Sequence, residues 1–394
     1  MPPRENRVLP AAASRPGCSR WYAFCYSFIN RRTRRLHIIE KTEHMIPAKV
    51  LHSRDHSQRS VLAAATTGFT DFLARNGGGA ERVLARAGMA EDQLTDINCP
   101  VDLASYVRMM ELAASDTGND NFGLWFGQQF KPEMLGLIGA IAIASPTLGA
   151  ALANVARYFP YHQQATHTAF VRHNAFFSLE YRIIDGSILE RRHDAELTLG
   201  MLANVFRHCL GTQWAPEQVH FEHPKPAEWR DHAHAFGACV HFGQPTNRLI
   251  FRGVSLHERM PTGDLHRAGL LGDQLIRISG GTGTLSLLDH VKGEIRSRLP
   301  GGVPDIESIA DAVGLQRWTL QRRLADYGLT FSGVVDQVRR ELAERHMRQR
   351  YVPAMEISDL LGYSELASFS AWYRARFNKT PSEARRDMRQ STTA

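Results

Sequence analysis

The stretch "VGLQRWTLQRRLADYG", residues 313 to 328, decides how the C-terminal part of the chain is read. With Leu320 and Leu324 one turn apart and directed inward, Trp318, Gln321, Arg322 and Ala325 share another face at the i, i+3, i+4, i+7 spacing of a helix. A short helix that turns an indole, an amide and a guanidinium toward water carries a surface suited to contact. Just upstream, Asp305 is placed to cap a helix whose inward residues are Ile306, Ile309, Ala310 and Val313, and Gly314 suits the tight turn between the two. This is the helix-turn-helix layout, whose second helix is free to enter a major groove. In that reading Arg322 and Gln321 offer donors and acceptors to guanine and adenine edges, Arg317 meets phosphate, and Trp318 packs on sugar or a thymine methyl. The other reading is a solvated basic face with Trp318 packed on a neighbouring domain.

A second unit favours the first reading. "PAMEISDLLGYSELASFSAWYRARFNKTPSEARR" (353 to 386) repeats the pattern: Pro353 near a helix start, Ile357, Leu360 and Leu361 inward, Gly362 at the turn, Ser364 as cap, then a helix burying Phe369, Tyr373 and Phe377. Thr380, Pro381 and Glu383 form a capping box for a closing helix. Between the units, residues 331 to 347 give a long amphipathic helix with Phe331, Val334, Val338 and Leu342 along one stripe. Two units on a rigid connecting helix can meet two successive major grooves.

The span from about 286 to 386 resembles the DNA-binding domain of the AraC/XylS transcriptional regulators, carried by "ADAVGLQRWTLQRRLADYGLTFSGVVDQVRRELAERHM" and "ISDLLGYSELASFSAWYRARFNKTPSEAR". The resemblance implies that Trp318, Gln321 and Arg322 contact DNA from the first recognition helix and that residues from Glu365 to Ser370 open the second. The candidate set is Gln316, Arg317, Trp318, Gln321 and Arg322 in one unit and Ser364, Glu365, Leu366, Ala367, Ser368, Ser370 and Arg374 in the other. One departure matters: where many members carry an arginine after the F-S of the second helix, this chain has Ala371 followed by Trp372. The second unit is therefore expected to read methyl groups, shape or phosphates, with Arg374 and Arg376 as phosphate partners unless they face the connecting helix. The middle of the chain resembles, in "DAELTLGMLANVFRHCLG" and "FGACVHFGQPTNRLIFRGVSL", the arabinose-binding-like N-terminal domain of an AraC subgroup that includes regulators of ornithine and amine catabolism. That implies effector sensing and dimerisation.

The bulk numbers agree with such a protein. A chain of 394 residues, 43% hydrophobic and 22% charged, can bury more than one core. Its most apolar stretch, residues 134 to 156, is interrupted by Ser145, Pro146 and small residues and reads as two buried helices, not a membrane span. Five cysteines without a C-x-x-C pair argue against a disulfide framework or zinc knuckle, and a cytoplasmic location is expected. Of the net charge of +7, the surplus lies at the two ends, and the first 44 residues are Arg-, Pro- and Ser-rich without periodicity. Between about residues 60 and 265, helices are expected at 61 to 75, 80 to 88, 102 to 116, 147 to 158 and 189 to 210, with strands at 176 to 183, 218 to 223 and 249 to 253.

Other constellations carry less. "ISGGTGTLS" (278 to 286) lacks the lysine and following Ser/Thr of a phosphate loop and reads as linker. His220, His223, His232, His234, Cys239 and His241 lack a paired-cysteine or H-E-x-x-H arrangement and are read as surface or turn residues, with a metal-sensing regulator as the minor option. "YFPYHQQATH" groups Tyr158, Tyr161 and His162 near a helix carrying Glu196; these four can line a polar effector pocket with the carboxylate on an amine, or belong to the core.

The expected architecture is an α+β effector-sensing domain followed by an all-α DNA-binding domain with two helix-turn-helix units joined by a long helix. Its boundaries are a disordered basic extension at 1–58, an effector-binding and dimerisation domain at 59–268, a linker at 269–285 and the DNA-binding domain at 286–394. The expected partners are promoter DNA, a small-molecule effector (an amine or amino acid), RNA polymerase and a second copy of the chain. No membrane, cofactor, metal or catalytic residue is expected. The alternative from another class is a small-molecule-binding or enzymatic α+β domain with a helical protein-interaction module.

Overall fold

A computed structural model describes residues 59–390 apart from positions 284 and 350, so the basic extension expected at 1–58 lies outside the described residues. The first body opens with β1 (Ser60–Leu62), followed by α1 (Phe69–Arg75), α2 (Ala80–Ala87) and β2 (Pro100–Asp102), which pairs antiparallel with β1. The single helix expected over 61–75 is therefore broken. Val61 and Leu62 join the two-stranded ladder, a 3-10 turn takes Ala63–Thr66, and Gly68 at φ 77° re-aims the chain before α1.

Side-chain caps set several of the helix starts that follow. Asp102 accepts from the Ser105 amide (2.7 Å) to begin α3 (Leu103–Thr117), and α4 (Phe122–Gln129) comes next. The apolar stretch 134–156 divides as expected into α5 (Gly136–Ala144) and α6 (Leu148–His162), the second capped by Thr147 on the Ala150 amide. Then follow β3 (Thr166–His173), β4 (Phe176–Ile183), α7 (Arg192–Leu210), β5 (Gln218–His220), α8 (Arg230–Phe236), β6 (Cys239–His241), β7 (Asn247–Arg252) and α9 (Leu265–Ser279). The five strands order as β3-β4-β7-β5-β6, antiparallel except for β5 with β6. The segment 269–279, expected to be linker, lies inside α9, which packs on α5 and α6 and closes on Tyr158 through Gly272. Its Asp264 cap and amphipathic spacing outweigh the glycines, and the loop proper begins at Gly280.

At the centre lies α7, buried almost all round from Arg192 to Phe206. It crosses α4 closely enough that a Cβ built on Gly127 would stand 2.6 Å from the Leu197 carbonyl oxygen, and Gly200 faces Gly127 from the other side. Glycine is required there by space and not by dihedral.

The second body has its own core. It runs through α10 (Leu287–Arg298), α11 (Ile306–Ala312), α12 (Arg317–Asp326), α13 (Phe331–Arg348), α14 (Ala354–Leu360), α15 (Leu366–Phe377) and α16 (Pro381–Gln390). Its first helix is clamped to the sheet body: Gly293 lies where a Cβ would meet the Ile184 carbonyl oxygen at 2.1 Å, Arg182 pairs with Glu294 at 2.7 Å, and Arg296 donates to the carbonyls of Gly186 and Ile188.

Alanine at Gly127 gains about 1 kcal/mol of helix propensity but must separate two helices, so Gly127→Ala is expected to destabilise by about 1–3 kcal/mol in urea unfolding. Gly269, in α9 with open space around it, is the control: Gly269→Ala is expected to stabilise by about 0.5–1 kcal/mol.

Candidate nucleic-acid interface

The first helical pair is built as its residues dictate. Asp305 accepts from the Ser308 amide (2.7 Å) to start α11, and Gly314 takes the left-handed turn at φ 69°. Gln316 holds the cap position of α12, and Leu320 and Leu324 are fully buried beneath it. Outward stand Arg317, Trp318, Gln321 and Arg322; Trp318 is 63% exposed, so it is not packed on a neighbouring domain. The Arg322 guanidinium lies 5.7 Å from the Trp318 ring centroid, a cation–π contact that holds both side chains upright on the face, and Arg317 is paired with Glu307 of α11.

The second pair repeats the geometry with a different outer face. Gly362 turns at φ 73°, and a Cβ there would lie 2.6 Å from the Leu299 carbonyl oxygen. Glu365, not Ser364, occupies the cap position of α15, with no side-chain cap bond. Ser364, Glu365, Ala367, Ser368 and Arg374 are exposed, while Leu366 and Ser370 are half-buried. Trp372 explains its own presence: its indole donates to Asp336 of α13 (2.7 Å), and Arg376 donates to the same carboxylate (2.9 Å). Arg376 is thus bound to the connecting helix, leaving Arg374 as the outward cation of the two phosphate candidates. Burial would raise the Asp336 pKa, but the hydrogen bonds from Trp372 and Arg376 outweigh it and lower it below the ordinary value. The capping box at Thr380 and Glu383 forms in both directions (2.7 and 3.3 Å).

In the first body the four expected effector residues separate. Tyr158 is buried against Gly272 of α9, Tyr161 packs half-buried on the core, and His162 is buried beside Phe159 with both ring nitrogens unpartnered. Glu196 belongs to another set. Its Oε1 accepts from Arg192 (2.8 Å) and His232 (2.7 Å), with His223 Nε2 at 3.4 Å. His223 and His232, read from sequence as surface or turn residues, are therefore buried, because Phe221, Phe236 and Phe242 enclose them. Burial would raise Glu196, yet Arg192 and His232 hold it well below the ordinary carboxylate range. Glu196, His223 and His232 offer ligand atoms within 4.8 Å of one another, but Arg192 already supplies the positive charge that a metal ion would bring.

Between the two bodies lies a cavity of about 60 Å³. Arg191, Arg192 and Glu222 line it from the sheet body, and Arg296, Arg345 and His346 from α10 and α13. Burial, with Arg191 and Arg345 nearby, pushes the Arg296 guanidinium well below its ordinary range. Among the many charged residues of α10 and α13 these arginines carry no local mark; the nearest signal is that each lies beside or one turn from an inward apolar residue, Arg296 next to Ile295 and Arg345 three after Leu342.

Two family models match the chain: the arabinose-binding domain of AraC transcription regulators, N-terminal, over residues 77–260, and a helix-turn-helix domain over 309–387. Among curated relatives, the HTH-type transcriptional regulator VirS of Mycobacterium tuberculosis is 27% identical over 82% of this chain and 96% of its own length. The ornithine utilization regulator of Pseudomonas aeruginosa is 24% identical over the same shares. The crystal structure of the transcriptional regulator CdpR from Pseudomonas aeruginosa aligns over 80% of this chain and 98% of that one, at 18% identity and a TM-score of 0.37. An α+β sensor body joined to paired helix-turn-helix units defines a DNA-binding transcriptional regulator. The chain belongs to the AraC family of these regulators. Among the described residues, no helix is long and apolar enough to cross a membrane.

Asp336→Ala removes the acceptor shared by Trp372 and Arg376 and is expected to lower stability by about 1–2 kcal/mol in urea unfolding. Burial lowers His162 from 6.5 to about 4, so the unfolded chain takes up a proton that the native state refuses as pH falls through this range. Stability from this residue is full above pH 6.5 and lost toward pH 4. His162→Leu is expected to flatten the pH dependence of unfolding in that window by about 1.4 kcal/mol per pH unit, read from urea curves at successive pH values.

Proposed function

We propose that the chain is a cytoplasmic, effector-responsive activator that reads promoter DNA with α12 in one major groove and α15 in the next. The exposed Trp318–Arg322 pair above buried Leu320 and Leu324 carries this reading. It presents a pre-oriented guanidinium and an indole on a helix whose other side is fixed in a core. Arg322 and Gln321 read base edges, Gln316 and Arg317 meet the backbone, and Trp318 packs on sugar or a thymine methyl. In the second unit Ser364, Glu365, Leu366, Ala367, Ser368 and Ser370 follow groove shape and methyl groups, and Arg374 meets phosphate, because Trp372 and Arg376 are committed to Asp336.

The sensor body takes a small metabolite, for which the name of the ornithine utilization regulator supports an amine or amino acid. RNA polymerase and a second copy of the chain are its protein partners. The ligand acts by binding two domain arrangements unequally, not by building the DNA-reading face.

Capture of fragmented source DNA by the purified full-length protein, sequenced at two salt concentrations, tests the reading. Discrete promoter sites that persist at the higher salt are expected, whereas uniform recovery that vanishes with salt overturns it. On such a site Arg322→Ala is expected to cost about 1–3 kcal/mol of binding with little change on random DNA; an equal loss on both makes Arg322 a phosphate contact.

A further inference from the structure

We infer that the cavity between the two bodies is a binding site for a small oxyanion, a carboxylate or phosphate group that also carries a hydrogen-bond donor. The argument starts from which of its charges are already answered. Arg191 donates to Glu222 (2.6 Å) and to the Ile183 carbonyl, and Arg192 is saturated by Glu196, Asp120 and Asn121. Arg296 spends its two terminal nitrogens on the carbonyls of Gly186 and Ile188, neutral groups that satisfy hydrogen bonds without pairing its charge, and Glu222 and Glu341 act on it only from beyond ion-pair distance. Its Nε is buried without a partner, and so is the Nε of Arg345. Among the described residues, no carboxylate lies within ion-pair distance of Arg296 or Arg345.

Two guanidiniums brought together at a cavity, with carboxylates acting on them only from beyond ion-pair distance, favour an anion that joins them directly, because an uncompensated buried charge is costly. Arginine forks match the planar, paired oxygens of carboxylate and phosphate. Glu222 adds selectivity. One of its oxygens serves Arg191, and the other, Oε1, is buried without a partner, so it accepts a hydrogen bond from whatever fills the space and disfavours a group bearing acceptors alone. A volume of about 60 Å³ exceeds what one water needs and suits a headgroup, not a long molecule.

The site joins two bodies, which gives it a consequence beyond binding. Arg191 and Glu222 belong to the sheet body, Arg296 to the first helix of the DNA-reading body, and Arg345 to the helix between its two units. An anion here has differential affinity for the arrangement that brings all of them together. This consequence rests on the proposed regulator reading; the site itself does not.

The test titrates sodium glutamate, and separately sodium phosphate, into the full chain with ionic strength held constant by sodium chloride, and reads the thermal midpoint. A saturable rise of about 5 °C at about a hundredfold over Kd is expected from at least one of the two, which also separates carboxylate from phosphate as the source. Arg345→Met is expected to raise the midpoint without added anion, by removing a charge that no carboxylate pairs directly and whose Nε is buried without a partner, and to abolish the saturable rise. Arg345→Lys, which keeps the charge without the fork, is expected to weaken binding at least tenfold as an order-of-magnitude effect. A non-saturating rise that is the same in wild type and both variants, or no rise beyond chloride, overturns the site. Promoter binding is measured on the same samples: wild type that retains its promoters but shows no saturable anion response leaves the regulator reading intact and removes the anion site alone.

Discussion

The fit of one helix against one turn ties the sensor to the reader. Gly293 has no side chain because the Ile184 carbonyl occupies the space where one would begin, and Arg296, one turn further along, reaches over to hold the carbonyls of Gly186 and Ile188. Arg182 with Glu294 and Arg59 with Asp289 add charge pairs at the sides of this contact. Such a joint has little tolerance for sliding, because close-packed backbone and directional hydrogen bonds fail together. The reader's core, from Val291 and Ile295 onward, is built on the opposite side of the same helix. One element therefore belongs to two packed surfaces, and the orientation of α12 and α15 follows from it through α13.

The two helix-turn-helix units solve the same folding problem and present different outer faces. In the first, both leucines are spent on the core and the polar residues remain available outward. In the second, Trp372 and Arg376 are turned back onto Asp336, which stiffens the unit and removes two large side chains from the face. What is left there is short and uncharged at Ser364, Ala367 and Ser368, with Glu365 and Arg374 as the exposed charges of the candidate set. The asymmetry leaves the hydrogen-bonding side chains suited to base edges on α12, and on α15 a face with few of them.

Legibility in the sequence followed the range of the interactions. The reader was legible nearly residue by residue, because its signals are local: an Asp305 cap, glycines at left-handed turns, a T-x-x-E box and inward leucines at helical spacing. Ser364 was misplaced as a cap by one residue, a boundary that local rules do not resolve when no side chain makes the bond. The sensor was legible only in outline. Val61 and Leu62 fit a helical pattern until Pro100–Asp102 arrives to pair with them, and α9 was hidden by glycines that its long-range packing tolerates. The burial of His223 and His232 and the convergence of Arg191, Arg296 and Arg345 depend on residues far apart in the chain, so no local pattern announced them. Glu196 was found as a notable carboxylate but assigned the wrong company, since its partners are set by how α7 meets the sheet body.

The shape of the joint also settles where this molecule divides into exchangeable parts. The glycine-rich loop after Ser279 looks like the seam, being polar, short and without regular structure. A hybrid cut there would hand α10 to a foreign sensor whose turn lacks the recess for Gly293 and the carbonyls for Arg296, and would leave the parent sensor with that recess open. A cut after Leu299 gives the helix to the sensor and instead opens the reader's core at Val291 and Ile295. Neither severance spares both sides, so the natural unit of recombination is a sensor and reader inherited with the helix that both of them fold around.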